Sequence, residues 1–202
     1  SVRFSKEDGS DFVAGEDAES RLGKWSFDFY RIEQPTRIQA EAPFIFGTPV
    51  ELRHSPHRRC VVLNILVDAL SWSIVRERGY RDVPNILKFF SQGIIFDQNF
   101  STSEYTFPSF AAIESGMYPH HNQIFNEHAA YELAPEYMTM SEQMKRLGYY
   151  CTNVIGMNEG LYTDVVRGYD RIIGNGYDTP TYLGVERAIR QMEAFGECDQ
   201  YL

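Results

Sequence analysis

The sequence predicts an α/β fold: a mostly parallel sheet with helices on both faces, preceded by a small β-rich extension. Three observations predict it. The run Cys60-Val61-Val62-Leu63-Asn64-Ile65-Leu66-Val67 is almost continuously apolar, as in a strand covered on both faces. Strand-like runs then alternate with helical ones through residues 59–202, the pattern of a parallel sheet wrapped by helices. Before them, apolar residues recur with a period of two, as half-buried antiparallel strands require.

The elements follow in order. Residues 1–22 are polar, acidic and Gly-containing, and read as a loose lead-in. Trp25, Phe27 and Phe29 alternate with polar neighbours, and so do Ile38, Ala40, Ala42, Phe44 and Phe46; residues 23–53 therefore predict two or more strands. Pro43 marks the second as an edge or bulged strand. Arg53-His54-Ser55-Pro56-His57-Arg58-Arg59 reads as a polar linker, so 1–58 form the extension and 59–202 the α/β body. His54 and His57 are capable of binding metal, but a solvated basic turn is the favoured reading.

Within the body, Pro84 to Gly93 predicts a helix with Ile86, Leu87, Phe89 and Phe90 on one side, and Ile94-Ile95-Phe96 a short strand. Thr139-Met140-Ser141-Glu142 is a capping box. It opens a helix with Met140, Met144 and Leu147 inward, closed by Gly148. Tyr149 to Gly156 predicts the next strand. Val185, Ala188, Ile189, Met192 and Phe195 recur at helical spacing before Gly196. Cys198 to Leu202 read as the start of a further strand.

The net charge of −9, from 28 acidic and 19 basic residues with no basic run, argues against a nucleic-acid partner. No stretch approaches the roughly 20 apolar residues of a membrane span, and Ser1–Asp8 does not read as a signal peptide. Cys60, Cys151 and Cys198 are too widely spaced for a zinc pattern and too few for a disulfide framework. Cys60 and Cys151 lie in apolar runs and are expected to be buried thiols, which leans towards a reducing, cytoplasmic compartment.

The stretch Tyr105-Thr106-Phe107-Pro108-Ser109-Phe110-Ala111-Ala112-Ile113-Glu114-Ser115-Gly116 carries the chemistry. Pro108 suits the first turn of a helix, and Gly116 its end. Thr106 is expected at or next to the N-cap, where free backbone N–H groups and the helix dipole favour an anion or a nucleophile attacking one. Read alone, Thr106 is simply a cap. Asp68 ends the apolar strand, at the edge where open α/β sheets place ligands; read alone, it starts a turn.

Six segments in one order then point to a family: Val-Asp-Ala-Leu at 67–70, Pro-Asn-Ile-Leu-Lys-Phe-Phe at 84–90, Gly-Ile-Ile-Phe-Asp-Gln-Asn-Phe-Ser at 93–101, Thr-Phe-Pro-Ser at 106–109, Ser-Gly-Met-Tyr-Pro-His-His-Asn at 115–122, and Leu-Gly-Tyr-Tyr-Cys-Thr-Asn-Val-Ile-Gly at 147–156. From about Arg59 onward the chain resembles the N-terminal half of the sulfatase-like branch of the alkaline phosphatase superfamily. The resemblance implies that Asp68 is a metal ligand and that Thr106 is the nucleophile and also touches the metal. In true sulfatases that position is a Cys or Ser converted to formylglycine; Thr resembles the phosphodiesterase and phosphotransferase branches. Phe110 replaces an Arg, Met157 a sulfate-binding Lys, and Ala69 a second Asp, and each change removes a charge that would hold sulfate or calcium.

The expected function is thus metal-dependent phosphodiester hydrolysis or phosphoryl transfer through Thr106, on a phosphate- or sulfate-ester of a glycan, lipid or small molecule. Zinc or manganese suits such a site better than calcium or magnesium. Asp68 and Thr106 fall short of the three protein ligands of a catalytic zinc site, so the resemblance implies a fragment, inactive alone. Its remaining ligands are expected beyond Leu202, in a C-terminal half or a partner chain. Asp199 is too early to be the expected ligand. His121, after Tyr-Pro, is read as surface or structural in preference to a ligand. Two other readings stand beside this one: a non-catalytic binding or scaffold module, and a true sulfuric ester hydrolase.

Overall fold

The computed structural model describes residues 2–14, 29–125, 132–156, 161, 163–174 and 180–202. The chain divides into two compact units, Ser1–Val50 and Glu51–Leu202.

In the first unit, β1 (Val2–Lys6), β2 (Asp11–Ala14) and β3 (Thr36–Ala40) form an antiparallel sheet in the order β2-β1-β3. The loose lead-in expected for residues 1–22 is corrected here, since Val2–Ala14 is a hairpin. Its turn is an Asp8-Gly9 step with Gly9 at φ 84, a conformation that favours glycine. Asp8 also accepts from the backbone and hydroxyl of Ser10. Phe4 is buried and stacks on Phe12 and Tyr30. The alternation predicted through Phe46 ends at Ala40, where Val2, the first residue of β1, pairs with it. Beyond that rung Pro43 has no N–H to donate, and Ile45 and Phe46 are exposed. Trp25 and Phe27 lie outside the described residues.

In the second unit, β4 (Val61–Val62), β5 (Tyr150–Val154), β6 (Arg171–Ile173) and β7 (Gln200–Tyr201) form a parallel sheet in the order β4-β7-β5-β6. Among the described residues six helices accompany them: α1 (Trp72–Glu77), α2 (Pro84–Phe90), α3 (Thr106–Ser115), α4 (Pro119–Asn122), α5 (Met140–Arg146) and α6 (Thr181–Ala194).

The expected two-faced helical cover holds around β5. Tyr150 stacks on Phe195 at the end of α6, with ring centroids 4.4 Å apart. Cys151 instead meets Ser141 of α5. Successive strand residues point to opposite faces, so α5 and α6 flank opposite faces of the sheet. On the α5 side, Tyr149, Cys151 and Tyr201 form one buried cluster with Val62, Met144 and Tyr169. A second cluster joins Phe107 and Ala111 of α3 to Ile124, Leu133, Val165 and Val166. Tyr169 packs against both.

Several local expectations change. The apolar run 60–67 is not a covered central strand, because β4 stands at the sheet edge. Leu63, Ile65, Leu66 and Val67 are exposed, and the ladder along β4 reaches only as far as Asn64 N–H donating to Leu202 O at 2.7 Å. Cys60 is likewise exposed, whereas Cys151 is buried. Ile94-Ile95-Phe96 forms no strand; the three residues are exposed with no ladder partner among the described residues. On α5, Met144 packs inward, but Met140 and Leu147 face outward and Ser141 is buried in their place. On α6, Phe195 and Gln191 are buried while Val185 and Ile189 are exposed.

The capping box forms as predicted: Glu142 N–H donates to Thr139 Oγ1, and Thr139 N–H donates to Glu142 Oε2. Thr139 and Ser141 hydroxyls also donate to Arg167 O at 2.8 Å, tying α5 to the segment before β6. Thr139→Ala removes a cap and leaves Arg167 O with one donor fewer, so it is expected to cost about 1–2 kcal/mol. Urea unfolding of the variant against the parent checks this; coincident midpoints would contradict it.

Candidate active site

α3 starts where the sequence places it. Tyr105 is the N-cap, Thr106 the first helical residue and Pro108 the third, where a missing N–H costs no helical bond. Gly116 ends the helix at φ 67, its N–H donating to Ala112 O. Tyr105 OH donates to Phe125 O, and Ser109 Oγ is within 2.9 Å of Ser101 Oγ, so the preceding loop is stitched to the first turn. At the other end Asn122 is buried; it donates to Ser115 Oγ and Met117 O and accepts from Ile124 N–H. α3 is therefore anchored at both ends.

The structure brings the two predicted site residues together. Thr106 Oγ1 donates to Asp68 Oδ1 at 2.9 Å, across 38 residues of sequence. The same Oδ1 accepts from Ala69 N–H at 2.9 Å. Ala69 holds φ 55, a left-handed conformation rarely adopted by a residue with a β-carbon. This local strain turns the chain sharply after the carboxylate. Asp68 is exposed and Thr106 half-buried, so the pair is accessible.

This pairing sits inside the region that comparison with known proteins singles out. The sulfatase family model matches residues 61–200. The chain belongs to the sulfatase family. It is also 38% identical over 82 residues to an ulvan-active sulfatase of Formosa agariphila, an alignment covering 35% of this chain and 14% of that protein. The match thus spans about one seventh of the length of this curated relative. No solved structure matches significantly.

Sulfatase-family proteins are generally metal-dependent, and the donor set here fits a hard or borderline cation in part: a carboxylate and a hydroxyl converge at 2.9 Å. A closed site needs more ligands. Among the described residues His121 and its neighbour His120 do not join it as a cluster; both are exposed on α4, His120 stacked on Tyr118 and His121 tilted against His120. Of the residues expected to distinguish sulfate from phosphate handling, Phe110 packs against the apolar cluster of α3 and Ala69 makes the strained turn. Met157 lies outside the described residues.

Sequence reasoning missed two features. Asp199, set aside as a ligand, is a buried carboxylate at the amino end of β7. His54 and Arg58 reach it, so this part of the 53–59 segment is bound instead of solvated. The other is Glu114, buried in α3 with its Oε1 accepting from Tyr169 OH at 2.9 Å and its Oε2 buried without a partner among the described residues. A signal was present: Phe107, Ala111 and Glu114 fall on one helical stripe, which puts a carboxyl on the buried side.

Burial pushes the Glu114 carboxyl up to about 7 from an ordinary 4.5, the Tyr169 donor offsetting part of the rise. Its folded pKa exceeds its unfolded one, so the folded chain holds an extra proton between those values. Stability therefore falls as pH rises from about 4.5 to about 7. Glu114→Gln, which cannot ionise, is expected to flatten that slope and to exceed the parent by about 1–3 kcal/mol at neutral to alkaline pH. Urea unfolding across the window checks it; parallel slopes for the two proteins would refute it.

Proposed function

We propose that this chain carries the nucleophile of a metal-dependent ester hydrolase or transferase, acting on a phosphodiester through Thr106. The observation that carries the reading is the hydrogen bond from Thr106 Oγ1 to Asp68 Oδ1 at the first turn of α3. Asp68 orients the hydroxyl and is the first acceptor for its proton. Thr106 lies in the first turn of α3, and a helix N-terminus favours a developing anion. Thr106 Oγ attacks phosphorus, the Oγ–P bond forms, and the bond to the leaving alkoxide breaks, the alkoxide taking up a proton. Water or an acceptor alcohol then displaces Thr106, returning its hydroxyl. Asp68 and Thr106 would hold a divalent cation of the zinc or manganese type; when bound, it would lower the hydroxyl pKa and neutralise charge on the ester oxygens. Further ligands would come from outside residues 1–202, in the rest of a longer protein or in a partner chain.

Phosphodiester chemistry is favoured over sulfate-ester cleavage by three residues. Thr106 stands where sulfatases have Cys or Ser converted to formylglycine, Phe110 supplies apolar packing where they have Arg, and Ala69 supplies no second carboxylate. The name of the Formosa agariphila relative supports sulfate-ester hydrolysis as a second reading. Phosphate- and sulfate-ester substrates, offered to the full-length protein, separate the two. Thr106→Ala is expected to lower turnover at least about a thousandfold, and Asp68→Asn at least about a hundredfold. Parent-like turnover in Thr106→Ala would refute the nucleophile assignment. Turnover restricted to sulfate esters would refute the phosphodiester reading.

A further inference from the structure

At the amino ends of β4 and β7, His54, Cys60 and Asp199 present one ligand atom each, all within 4.8 Å of one another. Asp68 instead follows the carboxyl end of β4, so this cluster and the Thr106–Asp68 pair belong to opposite ends of the sheet. Asp199 is buried, and its carboxylate accepts hydrogen bonds from the segment before β4. Arg58 Nε and Ser55 N–H both address Oδ2, at 2.7 and 3.1 Å, and leave Oδ1 towards His54.

The His54 ring has an unusual requirement. Its Nε2 lies 3.0 Å from Gly196 O, and its Nδ1 lies 3.1 Å from Asp199 Oδ1. Both partners are acceptors, and a neutral imidazole carries one N–H. With Nε2–H donated to the carbonyl, Nδ1 turns a lone pair towards a carboxylate. In that tautomer a cation between Nδ1 and Oδ1, either a second ring proton or a metal, satisfies both atoms. The third member distinguishes them. An exposed thiol does nothing for a protonated imidazole–carboxylate pair, whereas a thiolate is a strong ligand for a borderline-soft ion. A ligating His that donates its other N–H to a backbone carbonyl is the usual outer-shell arrangement, and Arg58 fixes the ligating carboxylate in the same way.

We infer that His54 Nδ1, Cys60 Sγ and Asp199 Oδ1 form a zinc site that fastens the amino end of β4 to that of β7. Zinc–ligand bonds of about 2.0–2.3 Å fit a cluster of this size after small movements of the two exposed side chains. Binding displaces the Cys60 thiol proton, and any proton on Nδ1, to solvent. One coordination position is left for water or another donor. Arg58, packed 5.6 Å over the Tyr149 ring, cannot withdraw easily from Asp199. A β-carbon at Gly148, which holds φ 92, would lie 2.6 Å from Arg58 Nη1, so this close approach depends on glycine.

Cobalt(II) added to the metal-stripped full-length protein tests this. The expected result is a thiolate-to-cobalt charge-transfer band with the visible bands of a tetrahedral ion, absent in Cys60→Ser and in His54→Ala but kept in Thr106→Ala. A band that survives Cys60→Ser, or no such band in the parent, would overturn the site; the cation between His54 and Asp199 would then be a proton. A second measurement needs no variant. Burial raises the Cys151 thiol to about 12 and the Cys198 thiol to about 11, so within residues 1–202 Cys60 is the thiol expected to alkylate fast. Peptide mapping of Cys60 should show zinc slowing its alkylation at least about tenfold, and an unchanged rate would overturn the inference.

Discussion

The second unit depends on one buried carboxylate. Asp199 enters the interior ionised, and a bare charge there would be costly. Arg58 and Ser55 N–H donate to it from the segment just before β4, and His54 meets its other oxygen. Breaking such a buried pair on one side typically costs about 3–5 kcal/mol, since it strands the other charge. That penalty fixes the direction in which the chain enters β4. From there the ladder follows: Gln200 N–H donates to Cys60 O, Leu202 N–H to Val62 O, and Asn64 N–H to Leu202 O. The register of β4 decides where the chain emerges at Asp68, and so whether its carboxylate meets Thr106. A contact at the amino end of the sheet thus sets the geometry at the other end.

α3 meets that carboxylate from the opposite direction. Its position follows from Phe107 and Ala111 in the apolar cluster and from Glu114, which meets Tyr169 below. Tyr169 touches both clusters, so the sheet and α3 share one anchor. A carboxyl there is an expensive way to make a contact, because its second oxygen is buried without a partner among the described residues. Its raised pKa expresses the same cost: the protonated form fits the site better than the charged one.

The meeting of Thr106 and Asp68 was prefigured by local signals, a Pro three positions into a helix and an apolar run broken by an acid. The capping box at Thr139 was legible for the same reason. What the sequence left obscure depends on partners far along the chain. Apolarity marks Leu63 to Val67 as strand-like but cannot say that β4 would be an edge. Nor can a polar segment such as 53–59 announce that His54 will face Asp199. The N-terminal hairpin was available in principle, since Asp8-Gly9 is a strong turn signal. Acidic composition masked it, and one aromatic, Phe4, supplied the burial that made the hairpin hold.

The β4–β7 pairing also has a kinetic consequence. Val61 and Gln200 are separated by nearly the whole second unit, while α3, α5 and β5 find neighbours at short range. Closing a long loop must be accomplished before its contacts return anything, so distant strand pairings tend to form late. The helix carrying Thr106 would then be in place early and wait for Asp68, which arrives with the last rungs. By the same reasoning those rungs open first. Amide exchange at Asn64 and Leu202 would outpace exchange inside β5, and the spacing between Thr106 and Asp68 would be governed by the least persistent ladder in the sheet.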